Sequence, residues 1–387
     1  MSDSADDDSQ SSDRTVPNAP DNAARTGDEL ADLERERNRI REFIEGLGFA
    51  DIKSGDWFPK LLTISLSAYA RKVDAVYFRD RYQGVPPDAI VAQRIKMAAR
   101  YAALEGGLSA TAYTGVVAAT IGSLGGASPA TVPAALVTVM VDIAYISQLQ
   151  LRLAYDIAVL YRVPLDLEDP DDLWKLIRVA FTIKSGELVR EGAIKAVPAL
   201  IRPLIKRFYA GPVLAAAKGL PVVGKFLLQR NLIKIGIPLV GIPLAVVLNR
   251  WTTTLTGRHA QTVFRNEASV LETAERLLDR SRHARVLLWA AWLVVQADTK
   301  ISDDEVLLMR HLTRIAWERH AIADERLASI VNVDPDELWS LVAQADGDLT
   351  DIVDASVIVA EVDGDVNRLE RAVLDEISAH CAAKMPE

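Results

Sequence analysis

Apolar residues recur along this chain with the spacing of helices, and nowhere with the strict alternation of half-buried strands. Leu30, Leu33, Ile40, Phe43 and Ile44 form one stripe among alternating charges, which predicts a helix from about Asp28 to Glu45. Gly46 and Gly48 stop it. Similar patterns predict helices around Leu61 to Tyr77 and Pro87 to Glu105, the second opened by Pro86-Pro87-Asp88. From Gly106 to Val141 the chain then runs thirty-six residues without a charged side chain. The stretch Gly122-Ser123-Leu124-Gly125-Gly126-Ala127-Ser128-Pro129 divides it into two apolar arms.

A spanning helix needs about 20 apolar residues. The first arm, Gly106 to Ile121, is short for that, and the second turns polar at Asp142, Gln148 and Arg152. A re-entrant or interfacial hairpin fits, and so does a hairpin buried in a soluble core. Later, Leu220-Pro221-Val222-Val223-Gly224 and Ile237-Pro238-Leu239-Val240-Gly241 predict short helices rather than a membrane bundle.

Alanine, leucine and valine dominate the apolar half of the composition and aromatics make up only 6%, so the fold class is all-α. At 387 residues the chain exceeds one ordinary core. Its organisation reads as a disordered acidic tail (1–27), a helical domain (28–280) and a second helical domain (281–387). The tail carries six acids and two arginines with little apolar material.

Charge adds a polarity that the net value of −9 conceals. Lys184 to Lys234 holds ten Lys or Arg against Glu187 and Glu191, a net of +8. From Arg285 onward twenty-one acids face nine bases, a net of −12. Arg202, Lys206, Arg207 and Lys218 in the basic block are the candidate contacts to an anionic membrane surface, where each adds about 1 kcal/mol. The other reading is a solvated face docked on the acidic C-terminal domain. No nucleic acid partner is expected, because interleaved aromatics, helix-turn-helix and zinc signatures are missing. The lone Cys381 and the absence of a leader pattern point to the cytoplasm, peripheral to or partly inserted in the inner membrane.

Spaced polar residues follow the hairpin: Val141-Asp142-Ile143, Leu149-Gln150-Leu151-Arg152-Leu153, Asp156-Ile157-Ala158 and Tyr161. Later come Ile237-Pro238-Leu239-Val240-Gly241, Asn249 and Thr256-Gly257-Arg258-His259-Ala260. With the glycine-rich hairpin they resemble the EcsC protein family over about residues 86–266. The resemblance implies an α-helical, membrane-associated bacterial protein and no particular reaction. Where that family continues with glycine and aspartate, this chain reads Tyr161-Arg162-Val163-Pro164-Leu165-Asp166.

Asp142, Arg152, Asp156, Asn249 and His259 are the candidate polar seam. Gln148, Arg152 and Asp156 share one helix face, so Arg152 is placed to bridge both neighbours. The seam is either a ligand-binding or catalytic site or a set of satisfied buried pairs. Nucleotide-binding, zincin, serine-hydrolase and Cys/His motifs are absent.

The C-terminal region repeats itself at an offset of sixty-five residues. Asp298-Thr299-Lys300-Ile301-Ser302-Asp303-Asp304-Glu305 matches Asp363-Gly364-Asp365-Val366-Asn367-Arg368-Leu369-Glu370. Flanked by apolar helices, the repeat resembles the tellurite-resistance TerB-like domain over about residues 281–381. That resemblance implies a divalent cation, Ca²⁺ or similar, held by Asp298, Glu305, Asp363 and Glu370. The residues themselves also read as helix caps, since Ser302-x-x-Glu305 is a capping box. The expected function is a non-enzymatic protein of envelope or stress physiology, with an acidic module for a cation or protein partner. A soluble helical enzyme using the seam and a protein-interaction scaffold are the rival readings.

Overall fold

The stripe that begins at Leu30 lies in helix α1, which spans Ala19–Glu45 in the computed structural model. The structure describes residues 19–47, 57–122, 128–181, 241–297, 301–322 and 334–383. Helix α1 starts nine residues before the expected Asp28, within the segment read as a disordered tail. Pro20 lies in its first turn, where a missing N–H costs nothing. All regular structure among the described residues is α-helical, as the composition predicts.

The single helix expected from Leu61 to Tyr77 is two: α2, Trp57–Ala70, and α3, Ala75–Arg81. Asp74 separates them by capping α3, its carboxylate accepting the Tyr77 N–H at 2.7 Å. Helix α4, Pro87–Gly122, runs unbroken from its proline start through Glu105 and the whole first apolar arm. Helix α5, Ser128–Leu160, carries the second arm and the polar residues after it. The glycine-rich stretch thus divides the hairpin where the sequence places the break. Helix α6 is Pro170–Ala180, with Asp169 accepting the Asp171 N–H.

Helix α7 spans forty residues, Gly241–Arg280, where short helices were expected up to Asn249. Pro243 lies in its first turn, where its ring starts a helix instead of breaking one. No helix among the described residues is long and apolar enough to cross a membrane.

By compactness the chain divides into two units, each discontinuous in sequence. The first takes Met1–Val73, Ala92–Ala154 and Trp174–Gly257; the second takes Asp74–Val91, Tyr155–Leu173 and Arg258–Glu387.

In the first unit α4 and α7 run antiparallel, with a glycine at each end of their crossing. A Cβ on Gly106 would stand 2.7 Å from the Ala245 carbonyl oxygen and 2.9 Å from the Asn249 amide nitrogen. A Cβ on Gly257 would stand 2.7 Å from Ile95 of α4 and 3.1 Å from Leu153 of α5. Only glycine permits this approach.

The second unit is centred on α8, Ala284–Val295, of whose twelve residues ten are buried. A helix apolar on every side must be surrounded. The surrounding elements are α9 (Asp303–His320), α10 (Pro335–Gln344), α11 (Thr350–Ala360) and α12 (Arg368–Ala382). The sixty-five-residue repeat appears as two helix–cap–helix pairs, α8 with α9 and α11 with α12.

Candidate functional site

In the first unit several charged side chains point inward and meet one another. Glu105, fully buried near the middle of α4, faces the guanidinium of Arg37 from α1 at 3.1 Å, with side-chain exposures of 0% and 8%. Arg152 of α5 donates to Glu36 of α1 at 2.5 Å and to the Ser65 hydroxyl of α2 at 2.8 Å. The Tyr69 ring lies 5.3 Å beneath its guanidinium, and Arg94 of α4 donates to the Tyr69 hydroxyl at 2.8 Å. Four helices are joined through this cluster.

Tyr145 of α5 is buried beside it. Burial, and then the negative charges of Glu36 and Glu105, push its phenol well above the ordinary value, against a smaller opposing pull from Arg152. Such a phenol stays neutral throughout the physiological range.

The expected bridge from Arg152 to Gln148 and Asp156 is not what forms. Both candidate partners are buried on α5 itself. Glu36 offers a full counter-charge at a half-solvated position, Ser65 a second acceptor and Tyr69 a π-face, a set that a same-helix pair cannot match.

The remaining seam residues lie apart from that cluster in role. Asp142 is buried on α5. Asn249 is fully buried with its amide against Gly106, and neither amide atom makes a hydrogen bond among the described residues. Gln150 donates across the first unit to Thr253 at 3.4 Å. Asp156, buried, and His259, half-buried, belong to the second unit. The seam thus separates into Arg152 in the ion-paired cluster, Asp142 and Asn249 buried in the first unit, and Asp156 and His259 in the second.

Also in the second unit, the Tyr161 hydroxyl donates to Asp88 at 2.5 Å and accepts from Gln261 at 3.3 Å. Arg162 then takes a left-handed φ of +58°, and the Val163 N–H closes back on the Ala158 carbonyl at 3.0 Å. A non-glycine residue holds this conformation at a cost.

The acidic repeat resolves into caps. Ser302 and Glu305 form a complete capping box on α9: the Ser302 N–H donates to the Glu305 carboxylate at 2.6 Å, and the Glu305 N–H returns to the serine hydroxyl at 3.2 Å. Asn367 and Glu370 repeat it on α12 at 2.9 and 3.1 Å. Both glutamates are buried in these roles. Exposed Asp363 accepts the Asp365 N–H in a turn where Gly364 has φ +86°, a conformation costly for the threonine of the first copy. Asp298 lies outside the described residues. Among the described residues no group of three or more His, Cys, Asp or Glu side chains is arranged to hold a metal ion.

Arg202, Lys206, Arg207 and Lys218 also lie outside the described residues, together with the turn at Leu220. Glu36, Arg37, Glu105 and Tyr145 are what the sequence reading missed. Arg37 carried a signal, because it falls on the apolar stripe itself, four residues after Leu33 and three before Ile40.

No protein-family model, curated protein or solved structure matches this chain. The resemblances to the EcsC and TerB-like families therefore contribute only to the proposal that follows.

Proposed function

We propose that this chain is a non-enzymatic, membrane-associated bacterial protein of envelope or stress physiology. In this reading an EcsC-like helical region meets the cytoplasmic face of the membrane, and a TerB-like C-terminal module receives a protein partner or a cation. The observation that carries it is the distribution of charge on α4 and α5. From Gly106 to Val141 neither helix has a charge, while just outside that span Glu105 and Asp142 are buried. A hairpin that long without charge suits contact with an apolar phase. The cluster that resembled a catalytic site is occupied by its own internal pairs, Arg152 with Glu36 and Arg37 with Glu105, which supports a structural role for it.

Fractionation of the native protein tests the reading. A peripheral protein leaves the membrane pellet in high salt, whereas a shallowly inserted one resists salt and carbonate alike. Binding to anionic vesicles should weaken in the R202Q/K206Q/R207Q variant. A chain that stays in the soluble fraction and ignores anionic vesicles would refute the proposal.

A further inference from the structure

The basic block of the sequence lies outside the described residues, yet the described helices carry a second cationic surface. Between Ala89 and Leu104, α4 has Arg94, Lys96 and Arg100 and no acid. The part of α7 in the same unit, Gly241–Gly257, has Arg250 and no acid. Single-signed charge on two neighbouring helices is unusual in a chain with a net charge of −9.

These residues are interleaved with apolar side chains left in solvent. Val247 is 62% exposed, Trp251 45% and Met97 37%, beside exposed Arg250, Lys96 and Arg100. Val247, Arg250 and Trp251 stand within one helical turn, so they share a face. At the rim of the helix crossing, a Cβ on Gly107 of α4 would stand 3.5 Å from the Val246 side chain of α7. The two helices are thus neighbours at this level, and their exposed faces adjoin.

Buried charge explains why the surface is cationic. The only acid near the middle of α4, Glu105, is turned inward to Arg37. What remains outside is positive charge with an indole and two aliphatic side chains, which is the composition of an interfacial face: cations for lipid phosphates, and Trp251 for the headgroup boundary. A nucleic-acid platform would instead need several stacking rings, and this face has one.

We propose that the joint face of α4 and α7, carrying Lys96, Met97, Arg100, Val247, Arg250 and Trp251, seats the protein on a bilayer of anionic phospholipid. The inference rests on the membrane reading above and names a surface for it. Arg250 lies about 8 Å along α7 from Ala245, and Arg100 about 9 Å along α4 from Gly106, both on the side away from the uncharged hairpin. The charged level therefore follows directly below the uncharged one, and the face continues the hairpin instead of competing with it.

The full-length protein is sedimented with vesicles of phosphatidylglycerol and phosphatidylcholine, and with phosphatidylcholine alone. K96Q/R250Q should lower partition to the anionic vesicles by about thirtyfold, taking roughly one Lys or Arg contribution each. Brominated lipid should quench the emission that wild type has and W251F lacks, which reads contact without relying on a charge variant's fold. Binding that is lost in R202Q/K206Q/R207Q but unchanged in K96Q/R250Q, with Trp251 unquenched, would overturn this face and leave the membrane reading standing. Absence of any vesicle binding would overturn both. Equal binding to neutral vesicles, or capture of a single-stranded oligonucleotide through Trp251, would overturn the lipid assignment.

Discussion

Replacing Arg37 with methionine removes the cation that faces Glu105 while keeping most of the stem that fills the space. The pair is 3.1 Å apart and has 8% and 0% of its side chains exposed, so water cannot compensate for the loss. Breaking such a buried pair from one side costs about 3–5 kcal/mol, because a charge is left in a poorly polarisable interior. By contrast Arg79 and Asp80, 3.8 Å apart but mostly in solvent, contribute about 0–1 kcal/mol. The R37M variant should therefore lose a large share of a total stability of about 5–15 kcal/mol. Urea unfolding followed by far-ultraviolet circular dichroism gives the difference, provided the slope with denaturant is unchanged. The double variant R37M/E105M supplies the control: with both charges gone and apolar volume retained, it should return to within about 1 kcal/mol of wild type. If R37M costs less than about 1 kcal/mol, or if the double variant is worse than the single, the pair does not anchor α1 to α4 and the reasoning fails.

Other substitutions follow from backbone and packing. G106A should destabilise by about 1–3 kcal/mol and more than G257A, because the first meets the Ala245 backbone and the second meets side chains that can repack; thermal melts of the two rank them. R162G should stabilise by about 1 kcal/mol, since Arg162 sits at φ +58°, and a lower or equal melting temperature would contradict it. S302A should cost about 0.5–2 kcal/mol by loss of the α9 cap, seen as a lower melting temperature. Tyr145 has its folded value raised above the ordinary 10.0, so the stability it contributes is complete below pH 10 and is lost as pH rises beyond it. Y145F should therefore flatten the decline of unfolding free energy between about pH 10 and 11.5, and an unchanged slope would argue against a neutral buried phenol.

Much of the fold was legible because helix periodicity and start signals are local. The Pro87-Asp88 start, the break at Gly122 and the repeated capping sequence are each set by residues within one turn of the effect. The inward charges were not legible, because Arg37 and Glu105 are sixty-eight residues apart and each alone resembles a surface charge. A careful reading of the stripe Leu33, Arg37, Ile40, Ile44 would have raised the question of what Arg37 faces, though not the answer. The partner of Arg152 was misjudged for the same reason: its same-helix neighbours are visible in the sequence, and Glu36 is not.

The enclosure of α8 has a consequence for how the chain is made. Its ten buried residues leave the ribosome well before α11 and α12, the last of which ends at Ala382. At about 5–20 residues per second, that greasy segment waits several seconds for the helices that will cover it. During that interval it is a ready client for a chaperone, and a message cut short before Arg368 would yield a chain that never hides it. Loss of α12 and the residues after it, Arg368 to Glu387, should thus send the protein to aggregation or proteolysis.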